Sequence, residues 1–554
     1  MDNKKDLRKK VKKLPRLTRL FDRWMPEALT MLGALKFLQF LRLLGVKARA
    51  NGWRKVTSIF LRSENSKFIL GCFRLNPDAL ALLPPPDFKI ASERLAAKLA
   101  AYLRRSNAIS YWVEPEKAVF VRRKKKFRDL VLAEVDEVGN VIRLRPFFDG
   151  SAPALEAPGE ELDEVLKIII YYANKLRNMP EPQRAVKLLK KMRRWSQLKS
   201  GFNYFGRRRL MYISRRIIHA TVLFISQMKS LDEINLTNER FEMPDFRKKY
   251  RNPGLGMLNV AARFTPDCSE VDLWCQFNHV AVDGLPMQEF LNQLKKEWGE
   301  IGAVKYPACS KSIFNGAQIR YADERKFRAL CFVDFKPLLI VRKYLNEHYK
   351  DAMGGEASVA GLIMWGLTRH KSYVRQKILL PVDAGVNDGE RNLGFVIIRP
   401  RQNMGQGQHI IEDFCKFQKE LHRRMELARS GNGAVTEFLA LCTMMRPFGY
   451  RLARYIWPQG LDEALGTVGL SILRDAEVFI SPLTEFQSGG FIAVGNLAVP
   501  TIDGGTAAAV SVAGTRRQVA DCLSAVADLP RDMVRMFDLP DGWGEAGQDS
   551  GTAS

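Results

Sequence analysis

Along the middle of the chain the apolar positions change their period twice. The segments Ile217 to Gln227 (IIHATVLFISQ), Met257 to Phe264 (MLNVAARF) and Val271 to Phe277 (VDLWCQF) are short, rich in β-branched and aromatic residues, and separated by turn residues, which predicts three strands. From Pro286 to Trp298 (PMQEFLNQLKKEW) the apolar residues Met287, Phe290, Leu291 and Leu294 fall three and four apart, which predicts a helix facing a core. Pro286 suits the first turn of that helix, where a missing N–H costs nothing.

A turn-rich stretch after Trp298, GEIGAVKYPACSKS, ends this series, and a second one follows. It contains an apolar helix over Ser358 to Leu367 (SVAGLIMWGL), the strand-like runs KILLPVDAG and LGFVIIRP, and a long helix from Ile410 to Ala428. Near the end, Thr467 to Leu473, Gly490 to Leu497 and Ala507 to Ala513 read as strands, Arg516 to Val526 as a helix, and the tail after Pro540 as loose. The last pair, AAAVSVAGTRRQVADCLSAV, repeats the layout of VDLWCQFNHVAVDGLPMQEFLNQL: a strand, a short polar turn with Gly, an amphipathic helix. Two related lobes are expected, and only the first has a histidine at the turn. A chain of 554 residues also exceeds what one core serves, at about 150 residues per domain. The expected organisation is a basic N-terminal segment over 1–50, a first lobe over 51–305, a second over 306–540 and a flexible tail over 541–554.

Charge adds a constraint on partners. Lys and Arg number 87 against 60 Asp and Glu, a net charge of +27, so the surface attracts anions: nucleic acid, an anionic membrane, an acidic carrier protein or a phosphorylated cofactor. Two basic blocks stand out. Lys4 to Trp24 interleaves cations with Val11, Leu14, Leu17, Leu20, Phe21 and Trp24; it can lie on an anionic membrane, pack on the protein body or remain a solvated arm. Lys187 to Arg216 sets Trp195, Phe202, Tyr204, Phe205 and Tyr212 among its cations, a mixture that suits single-stranded nucleic acid or a lipid headgroup region. No RNP, KH or zinc-finger pattern accompanies the second block, so nucleic acid is not the expected partner.

The stretch from Met25 to Val46 is interrupted by Glu27, Lys36 and Arg42, and falls short of about 18 uninterrupted apolar residues. It predicts neither a membrane span nor, lacking a small-residue cleavage site, a secretory signal. Eight scattered cysteines without a C-x-x-C pair indicate neither a zinc site nor a disulfide framework, and read as reduced, buried thiols in the cytoplasm. Peripheral contact with a membrane is compatible with that location.

The candidate chemistry lies in QFNHVAVDGLPMQEFL, where His279 is followed four residues later by Asp283 and then Gly284, between a predicted strand and a predicted helix. A strand-turn-helix of this kind aims a side chain at a cleft. The alternatives are a buried hydrogen-bonded histidine for His279 and a helix-entry cap for Asp283. A metal site is not expected, since no third ligand stands at a recognisable spacing. No Gly-rich phosphate loop, G-x-S-x-G elbow or cysteine-nucleophile motif is found.

This segment resembles the H-x-x-x-D-G motif of the chloramphenicol-acetyltransferase-like superfamily, which includes dihydrolipoamide acyltransferase cores, nonribosomal-peptide condensation domains and plant acyltransferases. SVAGLIMWGL, ILLPVDAG and NLGF look like the helix, the "PVD" strand and the Gly-rich strand of its two-lobed members, and GTVGLSIL resembles the G-T-x-x-x-S-N stretch of the dihydrolipoamide enzymes. The resemblance covers about Ile217 to Val526 and implies an α/β fold of two tandem lobes, each a mixed sheet flanked by helices, with an interlobe channel. It also implies an acyltransferase using a CoA or phosphopantetheine thioester as co-substrate, with no bound cofactor and with acyl-CoA or acyl carrier protein as partner.

By the same resemblance, His279 is the general base that takes a proton from a hydroxyl or amine acceptor, and Ser471 donates to the tetrahedral oxyanion. Thr467 is a weaker candidate for that contact, and Gly284 is placed with it in substrate binding. A neutral imidazole at pH 7 fits the first role, and an oriented O–H the second; for Ser471 an ordinary strand hydroxyl is the alternative. Asp283 is expected to hold the loop through a salt bridge. Gly385 occupies the position where many relatives carry the arginine partner, leaving Arg391 or Arg263 as substitutes. Two further readings stay open: a stand-alone, amide-forming condensation enzyme, and a non-catalytic protein that uses its basic surface to bind membrane or nucleic acid.

Overall fold

The computed structural model describes residues 67–75, 87–106, 111–114, 120–123, 129–148, 159–179, 181–198, 204–227, 251, 258–268, 271–278, 284–298, 327–370, 373, 377–387, 390–398, 408–429, 468–474, 478–480, 490–500, 505–540 and 543. The basic segment from Lys4 to Trp24, all of residues 1–50, and the tail apart from Trp543 lie outside them. The fold is mixed α/β, with two mixed sheets flanked by helices. The chain divides into two compact units, one of residues 61–347, 470–485 and 490–554, the other of residues 1–60, 348–469 and 486–489.

The larger unit is built on a seven-stranded sheet. Its strands are β1 (Lys67–Leu75), β4 (Leu130–Val135), β5 (Val141–Phe147), β6 (Thr221–Gln227), β7 (Leu258–Phe264), β8 (Val271–Asn278) and β13 (Val478–Ile480), in the order β13-β1-β8-β7-β6-β4-β5. β2 (Tyr111–Glu114) and β3 (Phe120–Arg123) form a separate hairpin. β6 runs parallel to β4 and β7, while the other neighbours are antiparallel. One row of paired residues crosses from Ile480 through Ile69 and Gln276 to Asn259 and Val222.

Alternation along β8 sends Val271, Leu273, Cys275 and Phe277 to one face and Asp272, Trp274 and Gln276 to the other, and all seven are buried. The first set joins a core with helix α1 (Phe88–Arg105) and helix α5 (Gly284–Trp298). Met287, Phe290, Leu291 and Leu294, the stripe that predicted α5, lie in that core. Tyr102 of α1 ties the two helices together by donating its hydroxyl to the Phe290 carbonyl at 2.7 Å. Helices α2 (Gly159–Lys175), α3 (Glu181–Leu198) and α4 (Tyr204–His219) pack on one another, and α2 covers β5.

α4 differs from the sequence expectation, since Ile217, Ile218 and His219 finish this helix and the strand begins only at Thr221. The β-branched pair imitates strand composition. Its burial, together with the anchoring of the preceding Arg216 to Asp129, favours one more helical turn. Arg216 and Asp129 are 2% and 0% exposed; Nε donates to Oδ2 at 2.7 Å, Nη2 donates to Oδ1, and the guanidinium lies 4.6 Å from the centre of the Phe148 ring.

The larger unit also contains β9 (Phe327–Val333), helix α6 (Lys336–His348), β14 (Gly490–Val494), β15 (Val499–Pro500), β16 (Thr506–Gly514) and helix α9 (Arg516–Phe537). β14, β15 and β9 all pair antiparallel to β16. Helix α9 opens on a capping box of Thr515 and Gln518 and continues through Pro530, beyond the expected end at Val526, because Leu529, Met533 and Phe537 continue its buried stripe.

In the smaller unit, helix α7 (Val359–Arg369) is capped by the Ser358 hydroxyl, which accepts from Gly361 N. β10 (Ile378–Asn387) and β11 (Glu390–Ile398) form an antiparallel hairpin against helix α8 (Gln408–Arg429). Val468 and Gly469, the first residues of β12 (Val468–Ile472), pair in parallel with Ile378 and Leu379 of β10, and the strand from Leu470 belongs to the larger unit.

Candidate functional site

The predicted strand and helix are present. β8 ends at Asn278, paired with Lys67 of β1, and α5 begins at Gly284. His279 and Asp283 fall among the five residues between them, which lie outside the described residues, as does Thr467. Both flanking elements are anchored. Phe277 and Cys275 belong to the buried core, Met287 enters the same core from the first turns of α5, and Tyr102 clamps the helix at Phe290.

The approach to the turn along the other face of β8 is polar and buried. Gln276 is 6% exposed and accepts a hydrogen bond from the amide of Asn259 at 3.0 Å, itself 1% exposed. Asp272, Asn259 and Gln276 thus sit on a sheet face that an ordinary core would fill with aliphatic side chains. The alternation of polar positions in VDLWCQFN and LNVAARF carried this signal, yet from sequence alone the two amides cannot be told from solvent-facing residues.

Ser471 lies on β12 and is half-buried. Two residues on, Leu473 enters the same buried cluster as Phe277, Cys275 and Met287, and its N–H donates to the Val494 carbonyl at 2.9 Å. The chain then returns as β13 to pair with β1, putting Ile480 two strands from Gln276, roughly 10 Å at ordinary strand spacing. The segment leading into His279 lies in the seven-stranded sheet and Ser471 on a strand of the other sheet, while Phe277 and Leu473 beside them share one core. This closure joins residues some two hundred apart, and no local pattern announces it.

The salt-bridge candidates lie on strands β7 and β11. Arg263 pairs in register with Asp272, six residues back along β8 from Asn278 and so roughly 20 Å down the strand. It is half-buried, and its Nε has no hydrogen-bond partner among the described residues. Arg391 lies on β11, paired with Val386 of β10; its side chain lies outside the described residues.

Among the other ionisable groups, burial pushes the Cys275 thiol up to about 12, which removes it as a nucleophile near neutral pH. His219 is buried at the end of α4. His422 lies between the Gln418 amide, 2.8 Å from Nε2, and the Met353 carbonyl, 3.2 Å from Nδ1. A carbonyl only accepts, so Nδ1 carries the proton and Nε2 receives the amide N–H. No group of three or more His, Cys, Asp or Glu suited to a metal ion occurs among the described residues. No helix among them is long and apolar enough to cross a membrane.

No family model and no curated protein matches the sequence. Solved structures similar to it include the first condensation domain of the CDA synthetase, at 11% identity and a TM-score of 0.41, with 89% of this chain and 96% of that one covered. The trichothecene 15-O-acetyltransferase of Fusarium sporotrichioides is similar at 8% identity and a TM-score of 0.43, with 87% and 94% covered. The wax ester synthase/diacylglycerol acyltransferase of Marinobacter aquaeolei VT8 is similar at 9% identity and a TM-score of 0.32, with 86% and 95% covered.

Proposed function

We propose that this protein is an acyltransferase with His279 as general base, moving an acyl group from a CoA or carrier-protein thioester to a hydroxyl or amine acceptor. The observation that supports the reading is that residue 279 directly follows β8, a strand buried on both faces, and that a core helix begins five residues later at Gly284. A base must be positioned before it can act, and rigid elements close by on both sides in the chain favour that positioning.

In the proposed reaction the neutral imidazole of His279 removes the acceptor proton as the acceptor oxygen or nitrogen attacks the thioester carbonyl. Ser471 donates its O–H to the resulting oxyanion, a role supported by the shared cluster of Leu473 and Phe277. When the tetrahedral intermediate collapses, the C–S bond breaks, the thiolate takes the proton back from the imidazolium, and free thiol leaves with the new ester or amide. Asp283 holds the turn. No acyl-enzyme forms, in keeping with a Cys275 thiol that stays protonated.

The test is thiol release from a panel of acyl-CoAs and an acyl carrier protein, with alcohol and amine acceptors, comparing the wild type with His279→Ala. A fall of about 10²- to 10⁴-fold in turnover with the unfolding transition unchanged is expected. Equal thiol release by the two proteins, or none from either across the panel, overturns the reading and leaves a non-catalytic binding protein on this fold.

A further inference from the structure

The second basic block is not absorbed by the proposed reaction, and its structure narrows what it binds. Between residues 181 and 219 the chain carries twelve Lys and Arg against a single acid, Glu181, so this helical pair holds a large share of the net charge of +27. Arg184 and Arg216 are buried and belong to the packing. Of the remaining ten, six are ordered by helical period: Lys187, Lys190, Lys191 and Arg194 share a face of α3, and Arg208 and Arg215 share a face of α4 two turns apart, all six exposed. The nearest acids preceding the block in the chain, Asp163 and Glu164, stand in the first turns of α2.

From these observations we infer that the exposed faces of α3 and α4 form a docking surface for an anionic membrane, binding lipid phosphates through clustered charge rather than through an inserted apolar segment. Like charges crowded on a helix face repel one another, and a polyanionic surface relieves that repulsion. Each such cation near an anionic leaflet adds to the attraction, so the six together suffice for firm, salt-sensitive attachment.

The rings around the patch point away from single-stranded nucleic acid. Binding of that kind stacks bases on open aromatic faces flanked by cations. Among the described rings, the protein's own cations lie over three: Lys191 over Tyr172 at 5.7 Å, Lys175 over Tyr171 at 5.7 Å and Arg216 over Tyr212 at 5.7 Å. Tyr171 is nonetheless 58% exposed near the end of α2, as suits an amphipathic ring at headgroup level.

Sedimentation of the full chain with phosphatidylcholine vesicles, with and without phosphatidylglycerol, tests the inference. Binding is expected only to the anionic vesicles, weakening as salt rises. The combined variant Lys187→Gln, Lys190→Gln, Lys191→Gln, Arg194→Gln, which keeps good helix formers at exposed positions, is expected to lower the partition coefficient by roughly a hundredfold or more. Replacing the first three by Arg is expected to preserve it. A matching variant with Lys9, Lys10, Lys12 and Lys13 changed to Gln separates this surface from the N-terminal segment. The inference is overturned if wild-type protein ignores anionic vesicles, if the α3 variant binds as wild type does, or if a single-stranded oligonucleotide is bound more tightly than the vesicles and displaces them. Because vesicle binding is read without turnover, its failure and that of the acyl-transfer reading are independent.

Discussion

Phe277, two residues before His279, and Leu473, two residues after Ser471, belong to one buried cluster. The strand that leads to the proposed base and the chain just past the proposed oxyanion donor thus share a core, and positioning of one segment depends on packing around the other. Loosening that core is a different injury from removing the base, and the two can be told apart.

Tyr102→Phe removes the 2.7 Å hydrogen bond to the Phe290 carbonyl while keeping the ring, whose centre lies 4.8 Å from that of Phe290. A loss of about 1 kcal/mol in urea unfolding is expected. Thiol release should fall less than about tenfold, in contrast to the loss expected of His279→Ala at unchanged stability. A Tyr102→Phe variant with full stability would remove the clamp from this account.

The buried pair of Arg216 and Asp129 gives the largest single-site effect expected here. Asp129→Ala strands a guanidinium that is 2% exposed and should cost about 3–5 kcal/mol. The double variant Asp129→Leu, Arg216→Met removes both charges and should recover much of that loss. Denaturant midpoints of the two variants decide the matter, and equal losses would mean that the pair contributes more than mutual compensation.

In the smaller unit, Gly361 sits where the first turn of α7 meets α8, and a Cβ there would overlap Gln418 Oε1. Gln418 is fully buried and held by His422, so it cannot simply swing aside. Gly361→Ala should destabilise by about 1–3 kcal/mol, and adding Gln418→Ala should relieve part of the clash. Thermal midpoints that fall additively would refute the steric account.

Acid titration should reveal Glu420. Its hydrogen bond from Arg423, with a second from Arg424, lowers the carboxyl from 4.5 to about 2. A folded-state value below the unfolded one means that the contribution is present in full above about pH 4.5 and is lost as pH falls towards 2. Glu420→Gln should flatten the stability profile across that window. The pair is partly exposed, so the effect should shrink in high salt.

The sequence by itself determined the elements around the candidate site. The near alternation of apolar and polar residues in VDLWCQFN and the three-four spacing of PMQEFLNQL are local consequences of backbone geometry, and they fixed β8 and α5, the elements on either side of His279 in the chain, without reference to the rest of it. The strands β10 and β11 and helix α7 were legible for the same reason, whereas their pairing and the cap at Ser358 were not.

Tertiary structure alone decided which residues within one composition stay in water. Arg216 and Arg215 are neighbours in a run of cations, yet the first is buried against Asp129 and the second is exposed. Ile217 and Ile218 finish a helix because that helix is anchored there, and β13 reaches β1 because sheet edges pair by complementarity of open hydrogen-bonding groups rather than by proximity in sequence. Local periodicity is a property of a few residues. Burial and long-range pairing are properties of what the remaining chain brings to them, and the same side chain changes role with that company.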